Sequence, residues 1–414
     1  MSSAPAPTLS AQQPPALTAG EEFRQYWRII VAAALGTAFG SMAGYTFGVF
    51  AEPLAKAFGV SLASVGAWNT IWVAATILVA PLVGRLADRY GGRRVALVFN
   101  PLLAFSLAVC AAATGSIWTL YLGALLIGAT SPGASTLIYG RVVNTWFRKG
   151  RGIALGIMSA GIGLSSIVGP RLAQGVMDAH GWRAGFLVLG AATLLGFVFL
   201  FLWLRERRDV EAPGAAAPVE TGHSRREAFR LPTFWLMAAG ELLWGLSVGG
   251  TNFIVPFLTE HGTSRTQAAT YAGVFGIASL LGRVANGFVI ARFSAPIICG
   301  FAFLAHAAAF GTMGFCGATF ALVPVIVLGL MLGVVANCLD YSTARYFGVK
   351  SYSEISGMLL IANGFGIAIS SPLFGYLRDV SGAYTLPYVA SAVTMLAPAA
   401  VMFLLGRHAF LKDT

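Results

Sequence analysis

The chain has 414 residues, of which 57% are hydrophobic and only 10% are charged. Soluble domains carry about 25% charged residues, so this composition excludes an ordinary soluble protein and favours one embedded in the lipid bilayer. The formal net charge of +11 is compatible with nucleic-acid binding. The basic residues nevertheless lie where membrane topology would put them, and we expect no nucleic-acid partner.

The N-terminal segment, residues 1–27, is rich in Pro, Ala and Ser and has no positive charge near its start. We predict a disordered cytoplasmic tail here rather than a secretory signal, because a signal has basic residues ahead of a short apolar core. The first apolar run is too long for such a core and predicts a retained membrane-spanning helix.

A helix needs about 20 apolar residues to cross ~30 Å of hydrocarbon, and the chain contains twelve runs of that kind. They cover residues 28–51, 65–87, 95–113, 117–142, 152–177, 184–204, 233–258, 267–290, 295–316, 319–345, 354–377 and 385–406. The long polar stretch between the sixth and seventh runs predicts a linker between two groups of six.

We therefore predict an all-α integral membrane protein with twelve transmembrane helices in two pseudo-symmetric six-helix bundles. The bundles cover residues 28–204 and 233–406. A cytoplasmic linker covers 205–232, and a cytoplasmic tail covers 407–414.

Lys and Arg are concentrated in alternate connections between the runs. One side collects Arg24, Arg28, Arg85, Arg89, Arg93, Arg94, Arg148, Lys149, Arg151, six linker arginines, Arg292, Arg345, Lys350, Arg407 and Lys412. The other side has Lys56, Arg183, Arg265 and Arg378. By the positive-inside rule this predicts a multi-pass protein of a bacterial-type inner membrane with both termini cytoplasmic. We expect it to act as a monomer.

The second half of the chain repeats features of the first half 203 residues later. The matching pairs are Pro53 and Pro256, Gly59 and Gly262, Ser61 and Ser264, Gly84 and Gly287, and Arg89 and Arg292. Two similar halves in the same orientation are typical of transporters that rock around a central site. The repeat predicts a substrate site between the halves, near the bilayer midplane.

The stretch "GRLADRYGGRR" follows the second run and resembles the signature loop between the second and third helices of the major facilitator superfamily. The resemblance implies the twelve-helix fold of that family. It also implies a gating role for Gly84, Asp88, Arg89 and Arg93 at the inner end of the helices, rather than a role in binding substrate. In the second-half copy, "GFVIARF", Ala291 stands where the aspartate would be.

Two further stretches narrow the resemblance. "TWFRKGRGIALGIMSAGIG", followed by "GWRAGFLVLG", is similar to the fifth-helix region of monocarboxylate porters and oxalate–formate exchangers. So is "YTFGVFAEPLAKAFGVS" at the end of the first run. The resemblance implies secondary active transport of a small organic anion by alternating access, with proton symport or anion exchange. A monocarboxylate such as lactate, pyruvate or formate is the expected substrate.

The same resemblance places a substrate-binding arginine on the eighth helix, and Arg283 occupies the matching position. An arginine inside the membrane costs several kcal/mol, so it should face a partner or a water-filled cavity. Arg283 lies ~6 Å from the middle of its run at 1.5 Å per residue, where a carboxylate could form a bidentate pair with it. The alternatives are a buried ion pair and a gate residue that snorkels to the membrane surface.

Three positions depart from the relatives. Ser279 stands where the porters have an aspartate one turn before the arginine, and Tyr45 is the nearest counterpart of their first-helix lysine. Asn363 stands where oxalate exchangers have a lysine. One central cation favours a monoanion over a dianion. The proton carrier is then left to Glu241 and Asp340, for which an interhelical hydrogen bond is the alternative role.

Other polar and aromatic residues on helices expected to line the cavity complete the predicted substrate site. They are Tyr45, Tyr121, Trp244, Asn252, Asn337, Tyr341 and Asn363, each with helix packing as the alternative role. Arg171 is either a second anion contact or part of an outer gate. The glycines at 152, 156, 161 and 163 predict one smooth face for close helix packing.

Other classes of function fit less well. A drug or amphiphile efflux antiporter and a membrane-bound ligand sensor are the alternatives to organic-anion transport. The sequence has no phosphate-binding loop, zinc motif or nucleophile elbow. We therefore expect no enzyme activity, no cofactor and no metal.

Overall fold

The computed structural model describes residues 17–206 and 222–410. The predictions for residues 1–16, for 207–221 of the linker and for 411–414 lie outside the described residues. Within the described part the chain forms fifteen α-helices and one short 3-10 helix, Ser131–Ala134.

The α-helices are α1 (Ala19–Tyr45), α2 (Phe47–Phe58), α3 (Leu62–Tyr90), α4 (Gly92–Ala111), α5 (Ile117–Thr130), α6 (Thr136–Trp146), α7 (Arg151–Trp203), α8 (Arg225–Ala228), α9 (Pro232–Asn252), α10 (Ile254–Glu260), α11 (Arg265–Ile290), α12 (Ala295–Cys316), α13 (Leu322–Phe347), α14 (Tyr352–Ser381) and α15 (Thr385–Leu405).

In the described part, eleven helical segments are long and apolar enough to cross a membrane. The longest, α7, has 53 residues and would measure ~80 Å if straight, far more than one bilayer thickness. Its backbone leaves the helical conformation at Gly181, where φ is 79° and ψ is 171°, so it makes two crossings. The predicted twelve-helix fold is confirmed.

The first helix starts earlier than the sequence predicts. The hydroxyl of Thr18 accepts a hydrogen bond from the N–H of Glu21, whose side chain accepts one from the N–H of Thr18. This capping box satisfies two N–H groups that have no partner inside a helix, and it fixes the start of α1 at Ala19. The prediction of a disordered tail up to residue 27 is therefore wrong for residues 19–27.

The apolar core is divided between two helix bundles. One buried cluster draws all its residues from positions 228–405, and two others draw theirs from positions 29–204. Large apolar side chains such as Leu78, Phe105 and Phe301 are exposed on the outside, as expected for surfaces that face lipid.

The internal repeat is visible in equivalent local structure. Ser61 and Ser264 are the N-cap residues of α3 and α11, and each hydroxyl accepts from the N–H three residues later. Gly59 and Gly262, just before these caps, have φ of 63° and 82°. Such positive φ values favour glycine, which explains why both halves have it there.

The two ends of the helices differ in charge. We call the end with the connections at residues 91, 147–150, 291–294 and 348–351 the basic face, and the other end the opposite face. The basic face includes Arg93, Arg94, Arg148, Lys149 and Arg292.

Two seams join the bundles. In the first seam α3 packs against α14, and a methyl group added to Gly84 would collide with the carbonyl oxygen of Ser353. In the second seam α7 packs against α11, and a methyl group added to Gly287 would lie 2.9 Å from the carbonyl oxygen of Gly152. The predicted repeat pair Gly84 and Gly287 thus occupies equivalent places in the two seams.

The second seam is tight near the basic face and widens toward the opposite face. A methyl group added to Gly156 would lie 2.7 Å from the carbonyl oxygen of Arg283. Further along, one added to Gly276 would lie 3.4 Å from the Ser166 hydroxyl, and one added to Gly273 would meet nothing within 4 Å. The bundles therefore diverge toward the opposite face.

Candidate functional site

Residues of the predicted gating motif connect the bundles at the basic face. The Asp88 carboxylate accepts hydrogen bonds from the backbone N–H groups of Ser353 (3.2 Å) and Glu354 (2.8 Å), in the first turn of α14. These N–H groups have no partner within their helix, and the helix dipole favours a negative charge beside them. Asp88 thus caps a helix of the other bundle, and it lies 3.5 Å from Nε of the fully buried Arg141.

Glu354 adds ion pairs at the basic face. Its carboxylate accepts from the guanidinium of Arg85 at 2.8 Å, across the bundles, and from that of Arg225 at 3.2 Å. Arg141 also donates to the carbonyl oxygen of Val349 at 3.2 Å. The basic face is therefore closed by hydrogen bonds and ion pairs between the bundles.

The other two motif residues lie outside this contact. Nε of Arg93 donates to the carbonyl oxygen of Leu204 at 2.7 Å, just past the end of α7 in the same bundle. Arg89 is exposed, with its guanidinium 5.2 Å from the ring centre of Tyr90. Their part in gating stays a prediction.

The second seam has no equivalent carboxylate contact between the bundles among the described residues. Ala291 supplies no carboxylate there, and instead Glu22 of α1 accepts from the N–H groups of Lys149 (3.2 Å) and Gly150 (2.8 Å), just before α7. This contact lies within one bundle. Among the described residues, the start of α14 is therefore capped by a carboxylate from the other bundle, whereas the start of α7 is capped by one from its own bundle.

A cavity of about 220 Å³ lies where the second seam widens. We call it the arginine cavity, and it is formed by α1, α7, α11 and α13. Its lining residues are Tyr45, Ile162, Gly163, Ser166, Ile167, Arg171, Ala272, Gly273, Phe275, Gly276, Ile277, Ser279, Arg283 and Leu332. Three of the predicted substrate-binding residues, Tyr45, Arg171 and Arg283, are brought together here.

Arg283 forms the deep end of the arginine cavity. Its side chain is only 6% exposed, and its Nε has no hydrogen-bond partner in the described part of the protein. It interacts electrostatically with Tyr45 and Asp340, but no carboxylate of the described residues forms an ion pair with it. The buried ion pair, one of the two alternative roles, is therefore not formed, and the group is placed to receive an anion from the cavity.

Tyr45 and Arg171 are more accessible. Tyr45 is 47% exposed at the end of α1. Arg171 is exposed, and its guanidinium donates to the carbonyl oxygen of Ile167 at 2.9 Å within its own helix. Arg171 therefore lies on the part of the cavity nearer the opposite face, while Arg283 lies at the deep end.

A second cavity of about 240 Å³ lies further along α13. We call it the acid cavity, because both predicted proton carriers, Glu241 on α9 and Asp340 on α13, line it. Its remaining walls come from both bundles, including Thr76, Ser135 and Ser356. The two carboxyl groups interact electrostatically with each other, and Asp340 also interacts with Arg283.

Two of the predicted site residues hold helices in place. The Asn337 side chain is fully buried and donates to the carbonyl oxygen of Arg283 at 3.1 Å, which ties α13 to α11. The Asn363 side chain donates to the carbonyl oxygen of Glu241 at 3.1 Å, which ties α14 to α9. Both therefore position a charged residue through its backbone.

The remaining predicted residues line neither cavity. The Tyr121 hydroxyl donates to the carbonyl oxygen of Ser64 at 2.8 Å, and Trp244 and Tyr341 pack partly buried against the core of the second bundle. Tyr341 also packs against the core of the first bundle. Asn252 is exposed at the end of α9. Their contact with substrate stays a prediction.

The sequence-based selection missed several lining residues. Ser279 is one helical turn before Arg283 and lines the same cavity, a placement that the four-residue spacing could have indicated. Ile162, Phe275 and Leu332 form apolar wall, and nothing in the sequence separates them from the many other apolar residues of their helices.

The chain resembles known transporters over most of its length. The sequence profile of the Major Facilitator Superfamily matches residues 33–371. Monocarboxylate transporter 13 of Bos taurus is 26% identical over 399 residues, with 92% of this chain and 89% of the relative covered. Monocarboxylate transporter 4 of Rattus norvegicus is 25% identical over 410 residues, with 91% and 82% covered.

A solved structure resembles the fold as a whole. The crystal structure of the human organic anion transporter MFSD10 (TETRAN) matches with a TM-score of 0.72 at 17% identity. The match covers 94% of this chain and all of the other chain. At this identity the likeness shows a shared fold.

Proposed function

The chain belongs to the Major Facilitator Superfamily and is a membrane transporter rather than an enzyme, and from this premise we propose that it carries a small organic anion, a monocarboxylate, by alternating access. The proposal rests above all on one observation. A buried guanidinium, that of Arg283, lines a cavity between the bundles and forms no ion pair with any described carboxylate. A carboxylate that enters the cavity supplies the missing charge.

The relatives agree with this substrate class. Both sequence relatives named above are monocarboxylate transporters, and they align with nearly the whole chain. A cationic or neutral substrate would leave the guanidinium without a partner. The arrangement therefore favours an organic anion over the cationic drugs of an efflux antiporter.

Replacing Arg283 by Ala in proteoliposomes tests the proposal. Uptake of labelled lactate, pyruvate and longer monocarboxylates should fall to the level of empty liposomes, while the protein still inserts and stays monodisperse. Arg183→Ala is the matched control, since Arg183 donates to the carbonyl oxygen of Ala113 and lines neither cavity. Normal carboxylate uptake by Arg283→Ala contradicts the proposal.

We also propose that proton symport drives transport, with Asp340 and Glu241 of the acid cavity as the proton carriers. A carboxylate bound to Arg283 adds a negative charge near Asp340, and a proton on Asp340 removes the resulting repulsion. Binding of the anion and of the proton would therefore support each other.

Asp340→Asn tests the coupling separately from binding. We expect this variant to exchange labelled for unlabelled acid across the membrane but to lose uptake driven by a pH gradient. Anion exchange is the alternative mechanism. It is supported if the unmodified protein ignores the pH gradient and requires an internal anion.

For the orientation, we propose that the basic face lies in the cytoplasm of a cell with a bacterial-type inner membrane. The positive-inside rule supports this, because Arg and Lys are concentrated at that face. The start of α1 and the end of α15 are then cytoplasmic, and the arginine cavity widens toward the outside. One chain contains both bundles and both cavities, which supports a monomeric transport unit.

A further inference from the structure

The arginine cavity is polar at its deep end and apolar along its length, and Arg171 lies at its outer end. Ser279 and Arg283 lie at its deep end, one turn apart on the same helix face, and Tyr45, at the end of α1, interacts electrostatically with Arg283. From Ala272 to Arg283 the lining follows α11 over twelve residues, a rise of ~16 Å at 1.5 Å per residue step. A ligand held at the deep end therefore has a long wall beside it.

That wall offers few hydrogen bonds. Its apolar part includes Ile162, Ile167, Phe275, Ile277 and Leu332.

The two polar side chains beyond the deep end each donate one hydrogen bond within α7. The Ser166 hydroxyl donates to the carbonyl oxygen of Gly163 at 2.8 Å, and Arg171 donates to that of Ile167.

Two glycines on α11 keep the cavity wide. Gly273 and Gly276 both line it and are three residues apart, so they share a helix face. A methyl group added to Gly273 would meet no atom within 4 Å, and one added to Gly276 would meet only the Ser166 hydroxyl, at 3.4 Å. No backbone atom of another described helix comes within 4 Å of either added methyl group. Unlike Gly282, whose added methyl group would collide with the carbonyl oxygen of Leu330, they leave room for a ligand.

We propose that the substrate is a monocarboxylate with a bulky apolar body, such as a branched-chain 2-oxo acid or an arylacetate, rather than formate or lactate. This rests on the proposed function, since Arg283 must bind the carboxylate. Ser279 and Tyr45 face the polar head group. The apolar body lies against Phe275, Leu332 and the open surface of Gly273.

The size of the cavity supports this class. About 220 Å³ has room for several water molecules of ~30 Å³ each, so a one- to three-carbon acid would leave water against the apolar wall. A longer body replaces that water, and each buried methylene strengthens binding roughly fourfold.

The test uses reconstituted protein and competition against labelled pyruvate. The competitors are formate, the straight-chain acids from propanoate to hexanoate, 4-methyl-2-oxopentanoate and phenylacetate. We expect the inhibition constant to fall roughly fourfold per methylene along the series. The two bulky acids should bind at least tenfold more tightly than propanoate.

Gly273→Leu tests whether the apolar body of the substrate lies in the wide part of the cavity. A leucine side chain there fills the wide part of the cavity, so inhibition by phenylacetate should weaken at least tenfold more than inhibition by propanoate, measured against labelled pyruvate. Gly175→Leu is the matched control, because a methyl group added to Gly175 also meets nothing within 4 Å and Gly175 does not line the cavity. A monodisperse elution profile in detergent, equal to that of the unmodified protein, shows that the Gly273 variant is folded.

The outcomes separate this inference from the proposed function. If inhibition does not increase with the apolar body, or if Gly273→Leu weakens inhibition by propanoate and by phenylacetate equally, the inference is overturned while carboxylate transport stands. If no acid competes and none is transported, both fail. If Arg283→Ala abolishes uptake of every acid and the size dependence is present, both are supported.

Discussion

At the residue scale, the proposed function rests on a guanidinium kept inside the protein without an ion-pair partner among the described residues. Such a group is costly in a membrane, and Arg283 is only 6% exposed. Arginine offers planar, paired N–H donors that match a carboxylate, whereas lysine offers a compact point charge on a flexible stem. The identity of the cation, and not only its charge, should therefore affect binding.

Arg283→Lys is expected to insert normally and to bind carboxylates weakly. Losing the bidentate geometry should raise the KM for the preferred acid at least tenfold, equivalent to about 1.4 kcal/mol of binding free energy. Initial uptake rates over a range of acid concentrations measure this change. Arg183→Lys, made outside both cavities, should leave KM unchanged, and an unchanged KM in Arg283→Lys would rule out a bidentate contact.

Single residues also show what the sequence could predict about the site. Arg283, Glu241 and Asp340 were identifiable because charges are rare in apolar runs, and all three line cavities. Tyrosines were harder to interpret. Tyr45 lines the arginine cavity whereas the Tyr121 hydroxyl bonds to a backbone carbonyl, and this difference depends on neighbouring helices that the sequence alone does not place.

At the element scale, the second seam depends on glycine. Gly152, Gly156 and Gly163 face α11, where added methyl groups would lie 2.7 to 3.0 Å from its atoms. Gly161, predicted on the same face, instead packs against the backbone of α1 at Ala34. Residues five apart on a helix are well over 100° apart around its axis, so the predicted single smooth face is wrong and α7 uses two.

Gly156→Ala should destabilise the protein. The new methyl group would lie 2.7 Å from the carbonyl oxygen of Arg283 and 3.2 Å from the Asn337 side-chain nitrogen, and the backbone oxygen has little room to move. Overpacking of this kind costs about 1–3 kcal/mol and should displace Arg283. We expect a lower melting temperature in detergent and a higher KM.

Gly276→Ala is the matched comparison on the wide part of the same seam. Its methyl group would make an ordinary contact of 3.4 Å with the Ser166 hydroxyl, so the melting temperature should stay within measurement error of normal. Equal melting temperatures for the two variants would show that α7 and α11 move apart at Gly156 without loss of stability, which contradicts the prediction.

At the scale of the whole molecule, the two bundles meet at the basic face and separate toward the opposite face. The sequence predicted the two bundles from the hydropathy pattern and the repeat at 203 residues, and the twelve crossings are confirmed. It could not predict which end is closed. The closed end depends on how the two bundles are oriented relative to each other. The apolar runs and cap residues that define each helix are the same in every orientation, so they do not indicate it.

Alternating access requires the basic face to open, so preventing that motion should stop transport. Arg85 of α3 and Glu354 of α14 pair across the bundles at 2.8 Å, and a cysteine at each position can be joined by a short cleavable bis-maleimide. We expect the reagent to abolish uptake by Arg85→Cys/Glu354→Cys made in a background without the native cysteines. Cleaving the linker with reductant should restore uptake.

The binding measurement separates a closed gate from a damaged protein. Because the arginine cavity widens toward the opposite face, the cross-linked protein should still bind the acid from that side with an unchanged dissociation constant. Each single cysteine variant, treated in the same way, controls for the loss of the ion pair and for attachment of the reagent. Full uptake by the cross-linked protein would mean that these two helices do not separate during transport. In that case the contacts of Asp88 and Glu354 would hold the bundles together rather than form a gate.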